Sequence, residues 1–212
     1  MKNWRILLVL ASVIVGGAMI YFFQVSVTKT PSYAGTELSG EAADFQLTDH
    51  NGSAVKLSDF RGKVVVLTFM DSKCVDTCPL TAVHFREVYR QLNPNEAKQV
   101  VFIGVNMNLE ENTVSDVSES TRAWHLDEIP SWHFLTGNRE ELEPVWSAYN
   151  VTAQHSHDGN AIMHTPGTFL IDSSGEKRWY ISTPFSADTD AEPSLPLSEL
   201  LLNRVAEILG NN

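Results

Sequence analysis

Both cysteines of this 212-residue chain lie in one stretch, DSKCVDTCPL, at positions 74 and 78. Thiolates, rather than thiols, attack disulfides and bind soft metals, so a close pair suggests three roles: a structural disulfide, a redox couple, or two ligands of a metal. A disulfide that closes so short a loop stabilises a fold by only roughly 2 kcal/mol in the chain-entropy model. The structural role is therefore the weakest of the three.

A metal site needs a further ligand, and histidine is the usual donor. Four of the seven histidines are best explained as turn, helix, packing or capping residues: His50, His84, His125 and His133. His155 and His157 share the polar stretch QHSHDG, for which a solvated loop is a simpler explanation than an accessory metal contact. His164 stands just before a predicted strand, so it is a candidate third ligand, with a core histidine as the alternative.

The elements around the cysteines are a strand and a helix. Residues 63–70, KVVVLTFM, form a continuous apolar run typical of a strand buried on both faces. The stretch CPLTAVHFREVYRQL keeps an approximate helical stripe, and Pro79 suits its first turn. Thiols at such a junction meet the positive end of the helix dipole and unpaired amide donors, which favour the thiolate.

The rest of the chain predicts a mixed sheet. Residues 99–107 form a second buried strand parallel to the first, because a helix joins the two. A hairpin is expected at Asn51-Gly52, a helix over 113–126 ending at Trp124, and an extended run in WHFLTG. NREELEPVWSAYNV reads as a helix that either kinks at Pro144 or starts a new turn there.

Two more strands about the turn Ser174-Gly175 and a last helix, LSELLLNRVAEILG with Gly210 as C-cap, complete the order. This order predicts an α/β, thioredoxin-like fold with a mixed central sheet and flanking helices. In such folds the loop that enters the strand TFLID abuts the cysteine loop, which would bring His164 near both sulfurs.

Residues 6–23 are uncharged and mostly apolar, about 27 Å long as a helix at roughly 1.5 Å per residue, close to the ~30 Å core of a bilayer. Lys2 and Arg5 precede them, so the positive-inside rule keeps residues 1–5 in the cytoplasm. We expect an uncleaved single-pass anchor, with a cleaved signal peptide as the alternative. We expect a polar linker over 24–40, followed by a domain over 41–212 on the outer face of the cell membrane.

The chain is acidic, with a formal net charge of -11. Nucleic acid is excluded as a partner on this ground, because binding phosphates requires a basic surface. An exported domain permits a disulfide between the cysteines. The acidic, proline-bearing stretch at 185–196 is best explained as a solvated loop, with a partner contact as the alternative.

Three stretches give the chain a resemblance to a known family. DFQLTDHNGSAVKLSDFRGKVVVLTF, the Cys-x-x-x-Cys-Pro motif CVDTCP with Asp76 in the middle, and HTPGTFLIDSSG together resemble the Sco/SenC family of membrane-anchored, thioredoxin-like copper proteins. The chain departs from that family at VNMNLEEN, where an Asp-Pro motif is common, at Ile162-Met163, and at Pro166, which redox thioredoxins also keep.

The resemblance implies a function and a set of ligands. It implies a metallochaperone that binds Cu+ or Cu2+ through Cys74, Cys78 and His164. Such a protein delivers copper to, or prepares the cysteines of, the binuclear copper centre of a cytochrome c oxidase subunit. Its partners would be that subunit or another copper chaperone. The alternative is a membrane-tethered thiol-disulfide oxidoreductase in which Cys74 and Cys78 are a redox pair and His164 tunes them.

Overall fold

The structure is a computed structural model. It describes residues 35–155, 162–164, 167–182 and 195–210, with the backbone alone at 153–155 and 162–164. Within these ranges no helix is long and apolar enough to cross a membrane. The expected anchor at 6–23 and most of the expected linker lie outside the described residues.

Ten strands and four helices make up the described part of the chain. The strands are β1 (Thr36–Glu37), β2 (Gln46–Asp49), β3 (Ala54–Lys56), β4 (Val64–Met70), β5 (Val100–Asn106), β6 (Trp132–Thr136), β7 (Ala153–His155), β8 (Ile162–His164), β9 (Gly167–Ile171) and β10 (Lys177–Ser182). The helices are α1 (Thr77–Gln91), α2 (Val114–Ala123), α3 (Arg139–Ala148) and α4 (Leu197–Gly210). Short 3-10 turns occupy Leu57–Phe60 and Leu126–Glu128.

The main sheet is mixed, as predicted. Its strand order is β1-β10-β9-β4-β5-β6-β2-β3, and only the pairs β4–β5 and β5–β6 are parallel. Every residue of β4 and β5 is buried, because β-branched and aromatic side chains on both faces are covered. Consecutive parallel strands end at the same edge of a sheet, so Met70 pairs with Asn106 there. The thioredoxin-like α/β fold is confirmed.

The helices differ little from prediction. Helix α2 ends at Ala123, with Trp124 as its C-cap. Pro144 lies inside the single helix α3, which begins after the N-cap Asn138, so of the two alternatives the one with a new turn starting at this proline is wrong. The capping box between Asn138 and Glu141 satisfies the amides of the first turn and fixes the start of the helix upstream of the proline. Gly210 is the last residue of α4 rather than the residue after it.

Two strands depart from the expected layout. Thr36–Glu37, inside the expected linker, pair with Tyr180 and Trp179 as β1 at the edge of the sheet. Both residues of β1 are exposed, so no apolar alternation marks the strand in the sequence. His164 does not begin β9 but lies in β8, a separate strand whose backbone pairs with β7.

Candidate metal and redox site

The two cysteines lie at the junction between β4 and α1. Cys74 is in the loop that follows the strand, and Cys78 is the second residue of the helix. Asp76 is the N-cap of α1, and its side chain accepts a hydrogen bond from the Thr77 N–H. The Cys78 N–H is one of the first-turn amides that have no acceptor within the helix. It donates instead to Cys74 Sγ at 3.3 Å. Pro79 follows in that first turn, as predicted.

The two thiols have opposite properties. Cys74 is half-buried, whereas Cys78 is only 3% exposed, and neither is in a disulfide. A hydrogen bond from the Cys78 thiol, aided by the Thr77 hydroxyl and the Cys78 N–H, lowers the pKa of Cys74 to about 6 against the opposing effect of burial. The same hydrogen bond to Cys74, together with burial, raises the pKa of Cys78 well above its usual range. Cys74 is thus the nucleophilic thiolate at neutral pH, and Cys78 keeps its proton.

The carboxylate of Asp76 opposes the thiolate form of Cys74. Its Oδ1 lies 3.1 Å from Cys74 Sγ, a contact that suits a thiol donating to a carboxylate rather than a thiolate. The Thr77 N–H at the helix start lowers the pKa of Asp76, so this carboxylate stays charged beside the sulfur. The donors from Cys78 and Thr77 lower the pKa of Cys74 despite this carboxylate, which is exposed, so that solvent and salt screen its charge.

Buried amide side chains hold the cysteine loop. Asp71 is buried, and its Oδ1 accepts hydrogen bonds from the Lys73 N–H at 2.9 Å and from Asn108 Nδ2 at 2.8 Å. The Ser72 N–H donates to Asn106 Oδ1 at 3.2 Å. Since the peptide groups of residues 72 and 73 directly precede Cys74, these contacts fix where its sulfur lies.

The stretch VNMNLEEN therefore has a role that the sequence did not predict. The Ser72 hydroxyl donates to the Glu111 carbonyl at 2.7 Å, and Asn106 Nδ2 donates to the same oxygen at 2.9 Å. The stretch stood out only as a departure from the family motif. Its position after a buried strand parallel to β4 is the signal that places it next to the cysteine loop.

The surface beside Cys74 is acidic and partly apolar. The Lys73 ammonium is shared by three carboxylates, at 3.8 Å from Glu111, 3.3 Å from Asp116 and 3.9 Å from Glu119. Val75, between the cysteines, is 91% exposed. The thiolate thus opens to solvent beside a net negative surface.

The third expected ligand is described only in its backbone. His164 pairs with Ala153 in the β7–β8 ladder, and its side chain lies outside the described residues. Among the described side chains, no group of three histidine, cysteine or acidic residues is placed to hold a metal ion. The Cys74, Cys78 and His164 set therefore stays a prediction. His155 is a residue of β7 rather than of a loop, and His157 lies outside the described residues.

Other histidines pair with carboxylates. The buried Asp49 contacts His50 Nδ1 at 2.6 Å and His133 Nδ1 at 3.1 Å. His84 Nδ1 lies 3.3 Å from Glu87 on the same helix. The interpretation of these three histidines as structural residues agrees with their contacts.

Comparisons with known proteins agree with this architecture. A sequence model of the family described as SCO1/SenC matches residues 34–192. The SCO2-like protein RC0895 of Rickettsia conorii is 22% identical over 190 residues, which cover 84% of this chain and 90% of that protein. Peroxiredoxin Bcp of Bacillus subtilis is 33% identical over 145 residues, or 68% of this chain and 84% of that protein.

A solved structure of ScoI from Bradyrhizobium japonicum with copper bound superposes with a TM-score of 0.61 at 25% identity, covering 80% of this chain and 99% of that one. A thioredoxin-like domain with two cysteines in a Cys-x-x-x-Cys spacing at a strand-to-helix junction is the class that fold and site define. Within that class, the chain belongs to the SCO1/SenC family. The Sco family is a family of cytochrome c oxidase assembly proteins.

Proposed function

We propose that this protein is a copper-binding metallochaperone that delivers copper to, or prepares the cysteines of, the binuclear copper centre of a cytochrome c oxidase subunit. The observation that carries the proposal is the half-buried Cys74, whose pKa of about 6 makes it a thiolate, in contact with Cys78 at the surface end of a buried strand. Two soft sulfur ligands select copper(I) or zinc over hard cations.

The cargo would enter from the solvent side. Cys74 offers the first thiolate, and copper binding displaces the proton of Cys78, since a metal ligand must be deprotonated. His164 supplies the third ligand in this proposal. A low-coordinate site beside the exposed Val75 lets an acceptor protein exchange ligands one at a time. Oxidation of the two cysteines to a disulfide removes both thiolates and with them the site.

Titration of the reduced full chain with copper(I) against a competing chelator tests the proposal. One equivalent should bind, and Cys74→Ser, Cys78→Ser and His164→Ala should each weaken binding. His84→Ala is the matched control, because His84 contacts a carboxylate rather than a thiol and should leave affinity unchanged. Undiminished binding in all three site variants would refute the copper site.

A second candidate function is thiol-disulfide exchange, which the contact between Cys74, with its lowered pKa, and Cys78 favours. The Cys74 thiolate would attack a substrate disulfide and release one thiol. The Cys78 thiolate would then attack the mixed disulfide, leaving a Cys74–Cys78 disulfide and a second reduced substrate thiol. The reduction potential of the pair and turnover on a disulfide substrate separate the two functions. A potential too oxidising to reduce exported disulfides, with no turnover, rejects the oxidoreductase.

We also propose that residues 6–23 anchor the chain in the cell membrane with the domain on the outer face. The support is the apolar length of the stretch and the two cations before it. A membrane-impermeant maleimide applied to intact cells should label Cys74 as fully as it does after lysis. Labelling only after lysis would refute this orientation.

A further inference from the structure

A cleft of about 720 Å³ lies at the end of the sheet opposite the cysteine loop. It is formed by the residue before β4, the end of α1 with the connection that follows, and the residues before β6. β4 begins at Val64 beside the cleft and ends at Met70 before the cysteine loop. At about 3.3 Å per residue, the strand separates the two places by about 20 Å.

Two lysines, Lys63 and Lys98, line this cleft. Val64 pairs with Val100, and the Val64 N–H donates to the Gln99 carbonyl at 2.8 Å, so Lys63 and Lys98 enter adjacent parallel strands. Both side chains are exposed and line the cleft. Neither ammonium makes an ion pair with any residue that the structure describes. An anion bound in the cleft would supply the counter-charge that both ammonium groups lack among the residues that line it.

The surroundings increase the positive charge. Arg90 also lines the cleft, and it shares one carboxylate, Glu128, with Arg86, at 2.6 Å and 3.8 Å respectively. The carboxylate of Glu96, on the connection after α1, accepts a hydrogen bond from the Asn93 N–H instead. Among the described residues no carboxylate lines the cleft itself. On a chain with a net charge of -11, this cationic surface stands out.

Apart from Ser131, the remaining walls of the cleft are mainly apolar. They are contributed by the aromatic ring of Tyr89 and by aliphatic side chains of Leu92, Pro94, Ala97 and Pro130. A volume of this size lies within the range of small-molecule sites. The walls suit an apolar group joined to the anion, whereas a fully hydrated inorganic ion would leave them without a partner.

We propose that this cleft binds an amphiphilic anion, a phosphate headgroup joined to a short apolar part, held between Lys63 and Lys98. The ligand is either a free alkyl phosphate-like molecule or an anionic lipid of a membrane surface. In the second case, the cysteine loop faces away from the lipid, at the far end of β4. The site is independent of copper and of the two thiols.

Site-resolved lysine acetylation of the full chain in phosphatidylcholine nanodiscs tests the proposal. Hexyl phosphate at ten times its measured Kd should lower acetylation of Lys63 and Lys98 about tenfold, because about one site in eleven stays empty. Lys56, an exposed lysine on β3, is the internal control and should not change. Hexyltrimethylammonium, a cation with the same apolar part, should protect none of the three.

A second arm distinguishes the source of the ligand. Replacing part of the phosphatidylcholine by phosphatidylglycerol, without hexyl phosphate, protects Lys63 and Lys98 if the ligand is a lipid, and leaves them reactive if it is a soluble molecule. The double variant Lys63→Gln/Lys98→Gln should lose hexyl phosphate binding measured by calorimetry, whereas Lys56→Gln should retain it. Equal acetylation of all three lysines in every arm, or full binding by the double variant, overturns the proposal.

Discussion

Replacing Cys78 should change the acidity of Cys74 in a way that depends on the new side chain. The folded protein lowers the pKa of Cys74 from 9.0 to about 6, and the leading cause is the hydrogen bond from the Cys78 thiol. Three pKa units correspond to about 4 kcal/mol of preference for the thiolate. A hydrogen bond to a charged group contributes about 1.5–3 kcal/mol of this, or about 1–2 pKa units.

Cys78→Ala should therefore raise the pKa of Cys74 by about 1–2 units, because the donor is lost. Cys78→Ser should keep it low, because the serine hydroxyl still donates. The rate of alkylation of Cys74 by iodoacetamide, measured from pH 4 to pH 10, reports this pKa directly, since only the thiolate reacts. In the wild type the rate should reach half its plateau near pH 6.

The serine and alanine variants also separate acidity from folding. Both remove the second sulfur and both leave a small side chain at the start of α1, so a folding defect would affect them alike. An inflection near pH 9 in the wild type would refute the thiolate assignment. If Cys74 had the same pKa in Cys78→Ser as in Cys78→Ala, the hydrogen bond from residue 78 would be refuted as the cause of the lowered pKa.

Two further predictions concern the scaffold. Burial alone would raise the pKa of Asp49, but hydrogen bonds from His133 and His50 lower it from 3.8 to about 2. The Asp49 carboxylate therefore stabilises the fold above pH 4, and this contribution is lost as the pH falls toward 2. Asp49→Asn should cost about 2 kcal/mol in urea unfolding at pH 7 and about half as much at pH 3, and an equal loss at both pH values would contradict this. Asn108→Ala removes a hydrogen-bond donor from the buried Asp71 and should lower the free energy of unfolding by about 1–3 kcal/mol. It should also slow alkylation of Cys74 at pH 7. An unchanged alkylation rate would show that the cysteine loop does not depend on Asn108.

The sequence predicts the elements that carry the cysteines because their signals are local. β4 and β5 are buried on both faces and therefore appear as continuous apolar runs, and the helix after the cysteines keeps its apolar stripe. Cys74 and Cys78 are four positions apart at the junction of two such elements. Their place in the fold follows from neighbouring residues alone.

Other features depend on contacts between distant positions. Asp49 and His133 meet only because β2 pairs with β6, 84 residues later in the chain. Lys63 and Lys98 line the same cleft only because β4 and β5 pair in parallel and start at the same edge of the sheet. Single residues with polar side chains carry no periodic signal that would reveal such pairings, so the cationic cleft and the Asp49 cluster required the structure.

X-ray absorption at the copper edge, on the reduced full chain loaded with one equivalent of copper(I), tests the central claim most directly. The claim predicts two sulfur ligands and one nitrogen ligand in the wild type. In His164→Ala it predicts two sulfur ligands without that nitrogen, and in His84→Ala an unchanged spectrum. A wild-type spectrum without sulfur ligands, or a nitrogen ligand that persists in His164→Ala, would contradict it.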